Sequence, residues 1–160
     1  MILFASALGV IFGLVLLSWG AYMFFRRAPE PSFGEGSVVV NGKQFSVAVA
    51  DTATKRTQGL SGVSAMGENE GMLFLFPIPA KYSFWMKDMN FPIDIIWIRD
   101  GKIAGVSENL PAPTGNGVFS LPNYTPESAV DMVLEIGAGN SKKYGFQVGQ
   151  EVEISRGEEK

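Results

Sequence analysis

The 160-residue chain contains no cysteine and no histidine. Disulfides, thiolate zinc sites and the Ser-His-Asp and Cys-His catalytic arrangements are thereby excluded. The missing cysteines do not fix the compartment, because a domain with an adequate core needs no covalent staple. Positive charge is also short: 13 Lys and Arg stand against 16 Asp and Glu, for a formal net charge of -3. A nucleic-acid partner requires a dense basic face to neutralise phosphates, so none is expected. Gly137-Ala138-Gly139-Asn140 has neither the Lys-Ser/Thr ending nor the long following helix of a phosphate loop. No cofactor is expected.

Residues 2–25, ILFASALGVIFGLVLLSWGAYMFF, carry no charge at all. A helix needs about 20 apolar residues to cross a bilayer. Trp19 and Tyr22 sit where amphipathic rings favour the headgroup region, and Arg26-Arg27 closes the run. A cleaved signal peptide fits less well: the run exceeds a usual apolar core and no charged segment precedes it, although Ser18-Trp19-Gly20 is a weak cleavage pattern. The expectation is one uncleaved transmembrane anchor over residues 1–27, and hence a membrane partner. The positive-inside rule would put the two arginines, and the following domain, in the cytoplasm. Two arginines are a modest bias, and the residues alone leave the side open.

Residues 28–36, APEPSFGEG, read as a Pro- and Gly-rich linker, residues 37–155 as one domain, and residues 156–160 as a frayed tail. The domain reads as all-β, mainly strands with one or two short helices, in a compact jelly-roll or barrel-like sandwich. SVVVNGKQFSVAVA predicts a hairpin turning at Asn41-Gly42. DTATKRTQGL predicts a short helix near 52–58, capped by Asp51 or Thr52 and ended by Gly59 in the left-handed conformation. Apolar runs follow at 72–76, 82–86 and 93–98, with a second tight turn at Arg99-Asp100-Gly101-Lys102 before 103–107. After a Pro/Gly/Asn-rich loop at 109–127 come a strand in AVDMVLEI, a turn or short helix in GAGNSKKYGF, and a closing strand in EVEIS.

Five motifs occur in order: RTQGLSG (56–62), GMLFLF (71–76), FWMKDMNFPIDIIWI (84–98), YTPESAVDMVLEIGAG (124–139) and VGQEV (148–152). Together they closely resemble the family called domain of unknown function 192, over nearly all of residues 37–155. The resemblance implies a compact β fold and no established activity. Relatives in that family often carry an N-terminal export or anchor segment, which tips the domain toward the extracytoplasmic side. Many also carry a cysteine pair before the tyrosine corresponding to Tyr124; this chain has none.

Charges stand out against the strands. Asp94 shares a strand face with Ile96 and Ile98, and Glu135 shares one with Val133. An unpaired buried carboxylate costs several kcal/mol, so Asp94 should have a partner, with Lys87 or Arg56 as the candidates. Arg56, Lys87, Asp94 and Glu135 therefore read as structural ion pairs, or, joined by Trp85 and Tyr124, as the lining of a pocket. Three functions follow. The first is a non-catalytic, membrane-tethered module at the cell envelope that binds a small polar ligand, a glycan or an envelope protein. The second is a hydrolase using Asp94 and Glu135 as acid and base. The third is a purely structural or assembly protein. Met66, Met72, Met86, Met89 and Met132 read as core filler, not a metal stripe, and no metal site is expected. Phe74, Phe76, Phe84, Trp85 and Trp97 read mostly as core, and Tyr82, Phe91 and Phe119 as an exposed aromatic platform.

Overall fold

A computed structural model describes residues 33–114 and 121–157. The expected anchor at 1–27, the first part of the linker and Phe119 lie outside the described residues. Among the described residues no helix is long and apolar enough to cross a membrane.

Among the described residues nine strands and two short helices follow one another: β1 (Gly34–Val40), β2 (Lys43–Ala50), α1 (Ala53–Gln58), β3 (Glu70–Ala80), β4 (Phe84–Trp85), β5 (Ile93–Arg99), β6 (Lys102–Leu110), β7 (Asn123–Tyr124), β8 (Val130–Gly137), α2 (Asn140–Lys143) and β9 (Val152–Arg156). The chain is thus mainly β, as expected, and β1 begins inside the stretch read as linker. The loop expected at 109–127 is interrupted by the short strand β7.

Local chemistry explains the turns. Asn41 and Gly42 take φ 49° and 75°, and Asp100 and Gly101 take 49° and 71°. Both pairs therefore supply the two positive-φ residues that a two-residue hairpin matched to strand twist requires. Thr52 caps α1 by accepting from the Lys55 amide at 3.3 Å. Gly59 ends the helix at φ 50°, ψ −140°, positive as expected but outside the left-handed helical well.

Seven strands form one mixed sheet in the order β6-β5-β8-β3-β2-β1-β9, and β4 and β7 form a separate two-stranded ribbon. All pairings in the large sheet are antiparallel except β2 with β3. A parallel pair needs a long crossover, and residues 51–69 with α1 supply it. The sheet is open in strand order, yet it curls until its edges meet. Lys102 bridges Glu151, the Ile103 amide donates to the Gln150 carbonyl at 2.9 Å, and the Val152 amide donates to the Gly101 carbonyl at 2.8 Å. The expectation of a compact jelly-roll or barrel-like sandwich is corrected to one large curled sheet with a small two-stranded ribbon.

Alternation along the strands divides the apolar residues into two cores. The concave face gathers side chains from all seven strands, among them Val38, Phe45, Leu73, Ile96, Ile103, Leu134 and Val152. The convex face of β3, β5 and β8 carries Met72, Phe74, Ile93, Ile95, Trp97 and Val133, covered by Leu60, Met86, Met89 and Phe84. Met66, Met72, Met86 and Met89 pack in this second core and Met132 against the first, as expected of filler.

Candidate functional site

Asp94 is fully buried, at 0% exposure, on the concave face. Neither Lys87 nor Arg56 reaches it. Its Oδ1 accepts from the amides of Asn109 at 2.8 Å and Gly139 at 3.1 Å. Its Oδ2 accepts from the Ser141 amide at 2.9 Å and the Ser141 hydroxyl at 2.6 Å. The expected ion pair is therefore corrected to a carboxylate saturated by three backbone amides and one hydroxyl. The register explains how the amides arrive. Ile93 pairs with Leu110 but Ile95 with Ser107, so β6 bulges there. Asn109 sits in the bulge at φ 53° and turns its amide inward. Such a carboxylate fastens α2 and the bulge of β6 to β5, and its lone pairs are taken.

Glu135 lies on the opposite face. In the pairing of β5 with β8, Asp94 stands opposite Ile136 and Ile95 opposite Glu135. Neighbouring positions in a strand point to opposite sides of the sheet, so the two carboxylates look away from each other. Glu135 is flanked by Met72 and Ile95 and is 5% exposed. Desolvation pushes its pKa up to about 8, so the neutral acid predominates at pH 7. Acid/base chemistry shared between Asp94 and Glu135 has no common cleft in which to act.

Two of the six expected site residues meet in a groove of about 390 Å³, within the range of small-ligand sites. Arg56 and Trp85 line it with Ala53, Thr57, Phe74, Phe76, Tyr82, Ser83 and Phe84. Ala53, Arg56 and Thr57 fall at i, i+3 and i+4 and so share one face of α1. Phe74 and Phe76 alternate in β3 and so share a face of the strand.

The groove wall is closely packed. Tyr82 stacks on Phe76 with centroids 3.6 Å apart, and its hydroxyl donates to the Ile78 carbonyl. Phe84 stands edge-on to Phe74 at 5.0 Å and to Trp97 at 5.5 Å. Arg56 lies 5.2 Å over the Phe76 ring, and its Nη1 donates to the carbonyls of Asp51 and Leu75, each at 2.8 Å. Trp85 is 51% exposed. Lys87 lies outside the lining, with its ammonium 5.8 Å from the centre of the Trp85 ring and 3.7 Å from the Asp88 carboxylate.

Tyr124 pairs with Phe84 across the β4–β7 ribbon and packs against the convex core, outside the groove lining. The expected constellation thus separates: Arg56 and Trp85 in the groove, Lys87 beside Trp85, Tyr124 opposite Phe84 in the ribbon, Glu135 on the convex face of the sheet and Asp94 on the concave face. Phe74, Phe76 and Phe84, read as core, are also groove wall, and Trp85 is not core. The alternation in GMLFLF was the available signal. Of the expected platform, Tyr82 lines the groove, whereas Phe91 is half-buried against the convex core.

The profile of the family domain of unknown function 192 (DUF192), described as "Uncharacterized ACR", matches residues 37–154. Two solved structures are similar. One is a protein of unknown function from Novosphingobium aromaticivorans DSM 12444, 27% identical with a TM-score of 0.65, covering 74% of this chain and 83% of that one. The other is a candidate transcription regulator from Sinorhizobium meliloti 1021, also 27% identical with a TM-score of 0.65, covering 78% and 97%. No curated protein matches.

Proposed function

We propose that this chain, which belongs to the DUF192 family, is a membrane-tethered, non-catalytic binding module whose groove takes a ring-bearing polar ligand, a glycan unit above all. The observation that carries the reading is Trp85, half out in water beside a preorganised aromatic wall. An indole held this way offers a flat apolar face to the C–H face of a sugar ring, while Ser83, Thr57 and Arg56 offer hydrogen bonds to hydroxyls. A core tryptophan would be covered, as Trp97 is at 2% exposure with its indole N–H bonded to the Ser107 hydroxyl. The hydrolase reading loses its support because its two carboxylates face opposite sides of the sheet.

The tether rests on the uncharged run at 2–25, and the extracytoplasmic side on the resemblance to anchored relatives. Protease added to intact spheroplasts should degrade the domain; protection until lysis would put it in the cytoplasm. For the groove, full-length protein in mild detergent is titrated calorimetrically with a panel of oligosaccharides. At least one should bind, and Trp85→Ala should abolish the heat. A silent panel, or equal binding by Trp85→Ala, refutes the groove as the ligand site.

A further inference from the structure

Arg56 gives the groove a sign. Its guanidinium is held from three directions, by the Asp51 carbonyl, the Leu75 carbonyl and the Phe76 ring. All three are neutral. Among the described residues no carboxylate lies within ion-pair distance of it, although Lys55, one residue before, is paired with Asp51 at 3.0 Å. A guanidinium carries five N–H donors in a planar fork. The two carbonyls take Nη1, and Nε and Nη2 donate to no partner among the described residues. The groove wall therefore holds a fixed, uncompensated cation with donors to spare, in a chain whose formal net charge is -3. Lys87, beside Trp85, adds a second positive charge there, offset among the described residues by the exposed Asp88 carboxylate at 3.7 Å.

We propose that the ligand is an acidic sugar, a glycan unit whose ring stacks on Trp85 and whose carboxylate is taken by the free edge of the Arg56 guanidinium. This rests on the groove being the ligand site, and adds the charge of its occupant. A carboxylate matches the planar fork with two parallel hydrogen bonds, and the carbonyls already holding Nη1 mean that little side-chain freedom is lost on binding. A neutral sugar would leave the cation unanswered in a partly desolvated wall. Free phosphate could meet the charge but would leave the indole unused.

The test uses full-length protein in mild detergent and three probes measured by calorimetry: a galacturonic acid trimer, its methyl ester, and inorganic phosphate. The acid should bind about tenfold or more tightly than the ester, as expected of a charge-assisted pair against a neutral one. That advantage should shrink as salt is raised, while ester binding stays level. Arg56→Met should bring the acid down to the level of the ester, and Arg56→Lys, which keeps charge and a donor but not the fork, should fall between them. The salt series on the unaltered protein decides the matter even if Arg56→Met does not fold. Equal binding of acid and ester, or an advantage that salt does not reduce, overturns the acidic ligand and leaves the glycan groove standing. Phosphate competing as well as the acid overturns the sugar as the source of the anion. If none of the three binds, the acidic-sugar assignment falls, and the oligosaccharide panel decides separately whether the groove itself stands.

Discussion

Replacing Asp94 by Asn separates an amide-saturated anchor from an ion pair. The amide keeps the shape of the carboxylate but turns one acceptor oxygen into a donor. With NH₂ at the Oδ1 position it would confront two amides, those of Asn109 and Gly139; at the Oδ2 position it confronts one, that of Ser141. The second orientation is favoured, since the Ser141 hydroxyl can rotate and accept. One buried N–H is then stranded, at about 1–3 kcal/mol, and the two bonds at Oδ1 lose charge assistance, at about 1 kcal/mol each. The expected loss is about 3–5 kcal/mol, a large share of a domain stability of about 5–15 kcal/mol. Urea unfolding at pH 7, followed by tryptophan fluorescence, should show a lower midpoint at unchanged slope. Double-mutant cycles identify the partner. Asp94→Asn should couple to Ser141→Ala by about 1 kcal/mol or more, and should add to Lys87→Met within about 0.5 kcal/mol. A loss below about 1 kcal/mol for Asp94→Asn, or strong coupling to Lys87, would refute the anchor.

Other perturbations probe other elements. Glu135 holds its proton to about pH 8 in the folded chain against an ordinary value of 4.5, so the unfolded chain binds fewer protons between these limits. Stability should therefore be highest below about pH 4.5 as far as this group is concerned and fall toward pH 8, by up to about 1.4 kcal/mol per pH unit. Glu135→Gln should flatten that slope and exceed the parent at pH 8 in urea midpoints, and an unchanged slope would refute it. Gly71→Ala would set a Cβ 2.6 Å from the Glu135 carbonyl oxygen in the middle of the sheet and should cost about 2–3 kcal/mol by the same measurement. Gly59→Ala, at φ 50° and ψ −140°, should cost about 1–3 kcal/mol. Trp85→Ala should remove groove binding while costing no more than about 2–3 kcal/mol in urea unfolding, the burial of the half of the residue that is covered, so the variant stays folded.

What the letters conveyed depended on whether the interaction has a residue type. Asn41-Gly42 and Asp100-Gly101 announce their turns because positive φ favours few side chains, and both form. Strands β5 and β8 announce their faces through alternation, which correctly put Asp94 with Ile96 and Glu135 with Val133. The curl of the sheet was hidden, since edge closure rests on backbone bonds such as that from Ile103 to Gln150. Any residue could make them.

The same blindness explains the misassigned partner of Asp94. A buried carboxylate must be answered, and that demand was legible. Side chains that could answer it are spelled in the sequence as Lys or Arg, whereas amides are present at every residue but proline and so carry no letter. The three that answer Asp94 come from a bulge and from the start of α2, 15 to 47 positions away. Arg56 then becomes informative by subtraction. Once Asp94 is satisfied by amides and Glu135 is held neutral on its own part of the sheet, neither carboxylate is left to answer the guanidinium. Its charge is turned to the groove, which is why the ligand, and not the core, is where its counter-ion should be sought.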